Sequence, residues 1–85
     1  MKTKEELLKI IKEIIIEFAT VISGQILIEE YDKIVKILIN DKYNHKTDCK
    51  KITTILNKLL KTYISLKKPK PSEQKVIRKI QTLCN

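Results

Sequence analysis

The sequence predicts an all-α fold, an antiparallel four-helix bundle, on three observations. Apolar residues recur at helical three- and four-residue steps over most of the chain. One glycine and two prolines leave little material for β-hairpins or sandwiches, and 42% hydrophobic with 33% charged residues is ordinary for a globular chain. Eighty-five residues make one domain, 1–85, just large enough for a single core. The predicted helices run over about 4–22, 25–39, 48–67 and 72–84.

Helix 1 opens on a capping box, Thr3 with Glu6. Leu7, Ile11, Ile14, Phe18 and Ile22 form its main stripe, which Leu8, Ile15, Ile16 and Ala19 broaden. Extending that stripe past Gly24 lands near Gln25, Glu29 and Lys33, whereas the next apolar series is Leu27, Tyr31, Ile34 and Leu38. The phase breaks at Ser23-Gly24. Gly24 is the residue that enters a left-handed C-cap at little cost, so a tight bend between two helices is expected there. One long kinked helix is the competing reading. Helix 2 then ends at Asn40-Asp41, and NDKYNHKT forms a polar loop.

Helix 3 carries Cys49, Ile52, Leu56, Leu59, Tyr63 and Leu66 on one face. Asp48 suits its first turn. Pro69 stops it, because a residue before proline avoids the α region. Lys70 stands between Pro69 and Pro71, which makes the turn short and stiff. Ser72 is the expected N-cap of helix 4, with Glu73 in its first turn. Val76, Ile80 and Leu83 form the inner stripe, and a short turn folds helices 3 and 4 into an antiparallel hairpin.

Seventeen lysines and sixteen isoleucines fit a low-GC coding bias. The distribution of charge says more. Residues 1–41 hold six lysines and eight acids, net −2; residues 42–85 hold twelve Lys or Arg and two acids, net +10. Codon bias supplies lysines but does not remove acids from one half. The asymmetry points to an anionic partner for the C-terminal half: a phospholipid surface, nucleic acid or an acidic protein. A solvated basic face that serves solubility is the alternative.

The start MKTKEELLKI brings Glu5 and Glu6 before any long apolar run, so no cleaved secretion signal is expected. No stretch reaches ~18 apolar residues. Two cysteines without such a signal suggest reduced thiols in a cytoplasm. Rod geometry agrees: Cys49 lies about 18 residues from the proline turn and Cys84 about 13, so their levels differ by roughly 8 Å, beyond the roughly 7 Å a disulfide spans between Cα atoms. The two are expected to be small apolar core residues.

Nothing here predicts an enzyme. His45 is the only histidine. Paired with Cys49 it would make a nucleophile and base on paper, but at a loop-to-helix spacing that matches no known arrangement. Cys49, His45 and Asp48 are a poor zinc set, so no metal or cofactor is expected. Glu29, Glu30 and Asp32 read as a solvated helix face, and no glycine loop cradles phosphate. Base-specific DNA reading is disfavoured, since Arg78 is the one arginine. Stacking on single strands is left with Tyr43 alone, while non-specific phosphate contacts through lysine stay open.

The C-terminal hairpin carries a resemblance. Asp48 opens a helix, ILNKLLKTYISL completes it, and PKPSEQKVIRKIQTL supplies a final helix with a polar start and Leu83 near its end. In this half of the chain it resembles the enterocin A-type (pediocin-like) bacteriocin immunity proteins; in helices 1 and 2 only the pattern agrees. The chain departs from several members by ending at Asn85 without a longer tail. The resemblance implies a four-helix protein in the producer's cytoplasm, peripheral to the inner membrane. There it would recognise a bacteriocin–permease complex and protect the cell. Discrimination in that family lies in the C-terminal half, which here maps to Lys67, Lys68, Lys70, Lys75, Arg78 and Lys79, beside an anionic lipid surface. The rival expectation is a small basic nucleic-acid-associated or phage-type regulatory protein.

Overall fold

In a computed structural model, residues 2–66 and the backbone of 71–85 are described, with side chains resuming at Glu73. Four helices follow in order: α1 Lys4–Phe18, α2 Gly24–Ile39, α3 His45–Leu66 and α4 Pro71–Thr82. They form the four-helix bundle that the spacing predicts. Cross-chain contacts give its direction. Lys4 Nζ donates to the Asn40 carbonyl at 3.5 Å, joining the start of α1 to the end of α2. Phe18 packs on Tyr63, joining the end of α1 to the end of α3. Lys79 meets Glu13, joining α4 to α1. The helices therefore alternate up, down, up and down. α1 and α2 form one layer; α3 and α4 form the other.

The core is built from the predicted stripes. Leu7, Ile11, Ile14 and Phe18 of α1 face Leu27, Ile34 and Leu38 of α2, Ile52, Leu56, Leu59 and Tyr63 of α3, and Val76, Ile80 and Leu83 at the end of the chain. Each fully buried side chain contributes about 1.5–3 kcal/mol relative to exposure. Among the described residues no charged or polar residue is buried with them.

Helix ends differ from the expectation in several places. α1 stops at Phe18, not near Ile22: Thr20 N–H donates to Glu17 O and Val21 N–H to Phe18 O, which tightens the chain into three-residue turns. Gly24 does not sit in a left-handed cap, since no described glycine has positive φ. It is instead the first residue of α2, and Ser23, with φ −54° and ψ 134°, makes the bend. Any small residue would serve there, and a methyl group at Gly24 would meet nothing within 4 Å. α3 starts three residues before the expected Asp48. Asn44 is its cap: the Asn44 Oδ1 accepts the Lys46 N–H at 3.0 Å, and Asp48 Oδ2 reaches back to the Asn44 N–H at 2.8 Å. α4 begins at Pro71, where a proline suits the first helical turn, so Ser72 lies inside the helix and not at its cap. The Thr3–Glu6 box holds as expected, with the Glu6 N–H on Thr3 Oγ1 at 3.1 Å.

Candidate binding surface

Cys49 and Cys84 are joined by a disulfide, with Cα atoms 5.8 Å apart. This corrects the expectation of two unpaired thiols. The rod estimate set both helices level at the proline turn. The 5.8 Å separation places the two cysteines level, and the i→i−3 turns after Thr82, such as Leu83 N–H to Ile80 O, lengthen the reach of the chain beyond a regular helix. The bond also removes the Cys49 thiol, so Cys49 and His45 do not form a nucleophile–base pair in this state.

His45 serves the same junction. Its Nε2 donates to the Cys84 carbonyl at 2.8 Å, and its Nδ1 lies 3.2 Å from the Tyr43 hydroxyl. That tautomer follows from the carbonyl, which can only accept. Lys2 Nζ adds bonds to the Thr82 and Asn85 carbonyls at 2.8 and 3.1 Å. Partial burial beside the Asp48 charge pushes the Tyr43 phenol up from its ordinary value, with desolvation the larger cause. The open end of the α3–α4 hairpin is thus tied by the disulfide and the His45–Cys84 hydrogen bond, while Lys2 anchors the chain end to the segment before α1.

The hairpin turns a basic surface outward. On α3, Lys50, Lys58 and Lys61 are exposed and lie opposite the buried Ile52, Leu56, Leu59 and Tyr63. Thr54, Asn57 and Ser65 fill the same face, and no acid interrupts it. On α4, Lys75 and Arg78 are exposed on the side away from Val76 and Ile80. None of these five cations forms an ion pair among the described residues. Lys33, Lys36 and Lys51 are by contrast answered by Glu30, Asp32 and Asp48.

The six predicted site residues therefore divide. Lys67, Lys68 and Lys70 lie outside the described residues. Lys75 and Arg78 share the outer face of α4. Lys79 turns to the flank and pairs with Glu13 of α1 at 3.0 Å, holding that carboxyl below its ordinary range. It is engaged within the fold and is a weaker contact candidate than its neighbours. Lys50, Lys58 and Lys61 were not among the predicted site residues, although the signal was present: they occupy the α3 positions that the apolar stripe leaves out. Exposed apolar side chains stand at the end of α3, Ile64 at 40% and Leu66 at 58%.

No metal-binding group of three or more His, Cys, Asp or Glu is assembled among the described residues. No helix there is long and apolar enough to cross a membrane. No family model, curated protein or solved structure matches the chain.

Proposed function

We propose that this protein is a recognition protein of the bacteriocin-immunity kind, binding a bacteriocin–permease complex at the inner membrane face and protecting the cell from it. It works by binding and not by catalysis, from the cytoplasmic side. The contact surface is the outer face of the α3–α4 hairpin: Lys50, Lys58, Lys61, Lys75 and Arg78, with Lys67, Lys68 and Lys70 of the connecting segment. The observation that carries this reading is the set of five exposed cations that form no ion pair among the described residues.

Anionic lipid is an auxiliary partner. At about 1 kcal/mol per lysine near such a surface, five cations contribute roughly 5 kcal/mol, a dissociation constant between about 0.1 and 1 mM. That enriches the protein at a membrane without holding it there, so a protein partner must supply the rest.

Expression in a sensitive strain challenged with a panel of pore-forming peptides tests the reading. Protection against at least one peptide is expected, and changing Lys50, Lys58, Lys61, Lys75 and Arg78 together to Gln should abolish it while the helical circular dichroism stays unchanged. Salt-sensitive retention on duplex DNA without any protection would instead support a nucleic-acid-associated regulator.

A further inference from the structure

We propose that the reduced protein binds a zinc ion between Cys49, Cys84 and His45, at the place the disulfide occupies in the oxidised chain. The sequence alone offers Cys49, His45 and Asp48, a poor donor set. The fold changes it. His45 and Cys49 stand one helical turn apart at the start of α3, on one face. The turn after α4 brings Cys84 to the same point: its Cα lies 5.8 Å from that of Cys49, and its carbonyl accepts the His45 Nε2–H at 2.8 Å. The only histidine of the chain therefore touches the residue that carries one sulfur and shares a helical turn with the other. With the bond closed both sulfurs are engaged, and no metal-binding group is assembled among the described residues. Reduction supplies two sulfur donors beside one imidazole.

Two thiolates and an imidazole suit zinc, with a fourth tetrahedral position left open. Zn–S bonds of about 2.3 Å put two such sulfurs roughly 3.8 Å apart. Side-chain rotation reaches that spacing from Cα atoms 5.8 Å apart. The imidazole has to turn from the Cys84 carbonyl toward the ion, and its other neighbour allows this. With Nε2 on the metal the ring proton sits on Nδ1, which donates to the Tyr43 hydroxyl, 3.2 Å away in the oxidised chain. Zinc-bound histidines are oriented by acceptors of this kind. Asp48 is already engaged: its Oδ2 accepts the Asn44 N–H at 2.8 Å, and its Oδ1 lies 3.5 Å from Lys51 Nζ.

Cys49 is fully buried, but Cys84 and His45 are partly exposed, so the ion enters from the side of the chain end. Lys2 holds the Thr82 and Asn85 carbonyls on either side of Cys84, and a cation there favours the thiolate. A zinc ion with two thiolates is electrically neutral, so the site adds no charge to the basic hairpin. A low-molecular-weight thiol reduces the bond in a cytoplasm and itself becomes a disulfide; the ion then displaces the two thiol protons. The metal thereby ties the chain end to α3 under the conditions in which the disulfide does not persist.

The full chain, reduced without air by a phosphine that takes its oxygen from water, tests this with Zn2+ and Co2+ as probes. One Zn2+ per chain should bind, with a dissociation constant on the order of 1 µM or below, and close to two protons should leave with each ion bound. Co2+ should show the visible bands of a tetrahedral ion and thiolate charge-transfer absorption. The oxidised chain should bind neither. His45→Gln should weaken binding at least tenfold and change the visible Co2+ spectrum, with the helical circular dichroism unchanged. Cys84→Ser should remove half or more of the charge-transfer intensity. A reduced chain that takes up neither ion at about 100 µM overturns the proposal, as does an oxidised chain that binds equally well or a Co2+ spectrum indifferent to His45. Where a variant does not fold, the ring-nitrogen NMR shifts of His45 in the unaltered reduced chain decide: Nε2 should move on adding Zn2+, and an unmoved Nε2 overturns the assignment. None of these substitutions touches the basic face, so protection of sensitive cells is read separately.

Discussion

The Tyr63 hydroxyl donates to Glu17 Oε1 at 2.7 Å, although the tyrosine as a whole is 0% exposed. Its ring packs on Phe18 with centroids 5.2 Å apart. A buried phenol needs a partner for its hydroxyl, and the carboxylate supplies a charged one. Tyr63→Phe keeps the ring and removes the bond, so it should destabilise the fold by about 1–3 kcal/mol. Urea unfolding followed by circular dichroism reads that loss directly. An unchanged midpoint would show that the bond contributes nothing net.

The Cys49–Cys84 bond closes a loop with a sequence separation of 35. Loop-closure entropy assigns such a cross-link about 4 kcal/mol. A dithiol reductant should therefore lower the denaturation midpoint clearly, without the added complication of a substituted core residue. The comparison also bears on location, since a reducing cytoplasm keeps most thiols unpaired. A reduced chain that remains folded at 37 °C is required by the cytoplasmic reading.

Lys79 holds the Glu13 carboxyl below its ordinary value of 4.5, mainly by hydrogen bonding and then by charge. A carboxylate depressed in the folded state stabilises fully above its unfolded pKa and loses that contribution as the pH falls through the lowered folded value. The acid window thus lies below 4.5. Lys79→Gln should bring the Glu13 midpoint back toward 4.5 and flatten the acid loss of stability. Carboxyl-carbon NMR titration of both proteins checks the first, and urea midpoints at several pH values check the second.

Asn44 and Asp48 cap α3 reciprocally. Asn44→Ala should cost about 1 kcal/mol. Asp48→Asn should cost less, because an amide oxygen still accepts the Asn44 N–H while the favourable charge at the helix start is lost. Paired thermal melts of the two variants give the order, and a larger loss for Asp48→Asn would reverse the assignment of the cap.

The interior was legible because burial imposes a period. Every residue of the Leu7, Ile11, Ile14, Phe18 and Ile22 stripe is in the core, and so are Cys49, Ile52, Leu56, Leu59 and Tyr63, whereas Leu66, expected on the same face of helix 3, is 58% exposed at the helix end. Helix ends were less legible because several local solutions compete there. Glycine's left-handed option made Gly24 look like a cap, yet Ser23, with φ −54° and ψ 134°, turns the chain without it. Asp48 looked like a first residue because a carboxylate serves either as the cap or one turn inside it. The basic surface was half legible: Lys75 and Arg78 stand outward as expected, whereas Lys50, Lys58 and Lys61 lie a helix away from the proline turn that marks the charge excess in the sequence. Lys79 could not be assigned from sequence, because its partner Glu13 lies 66 residues away. The disulfide escaped for a related reason, since helix stagger is a tertiary quantity that spacing along one strand of sequence does not carry.

That same bond makes the second half of the protein a closed ring. A protease that cuts anywhere between Cys49 and Cys84 leaves the two pieces attached, so a nicked molecule would run as one band on a gel until a thiol is added and as two bands afterwards. A cut between the two cysteines would then not release α4 from α3 for as long as the surroundings stay oxidising.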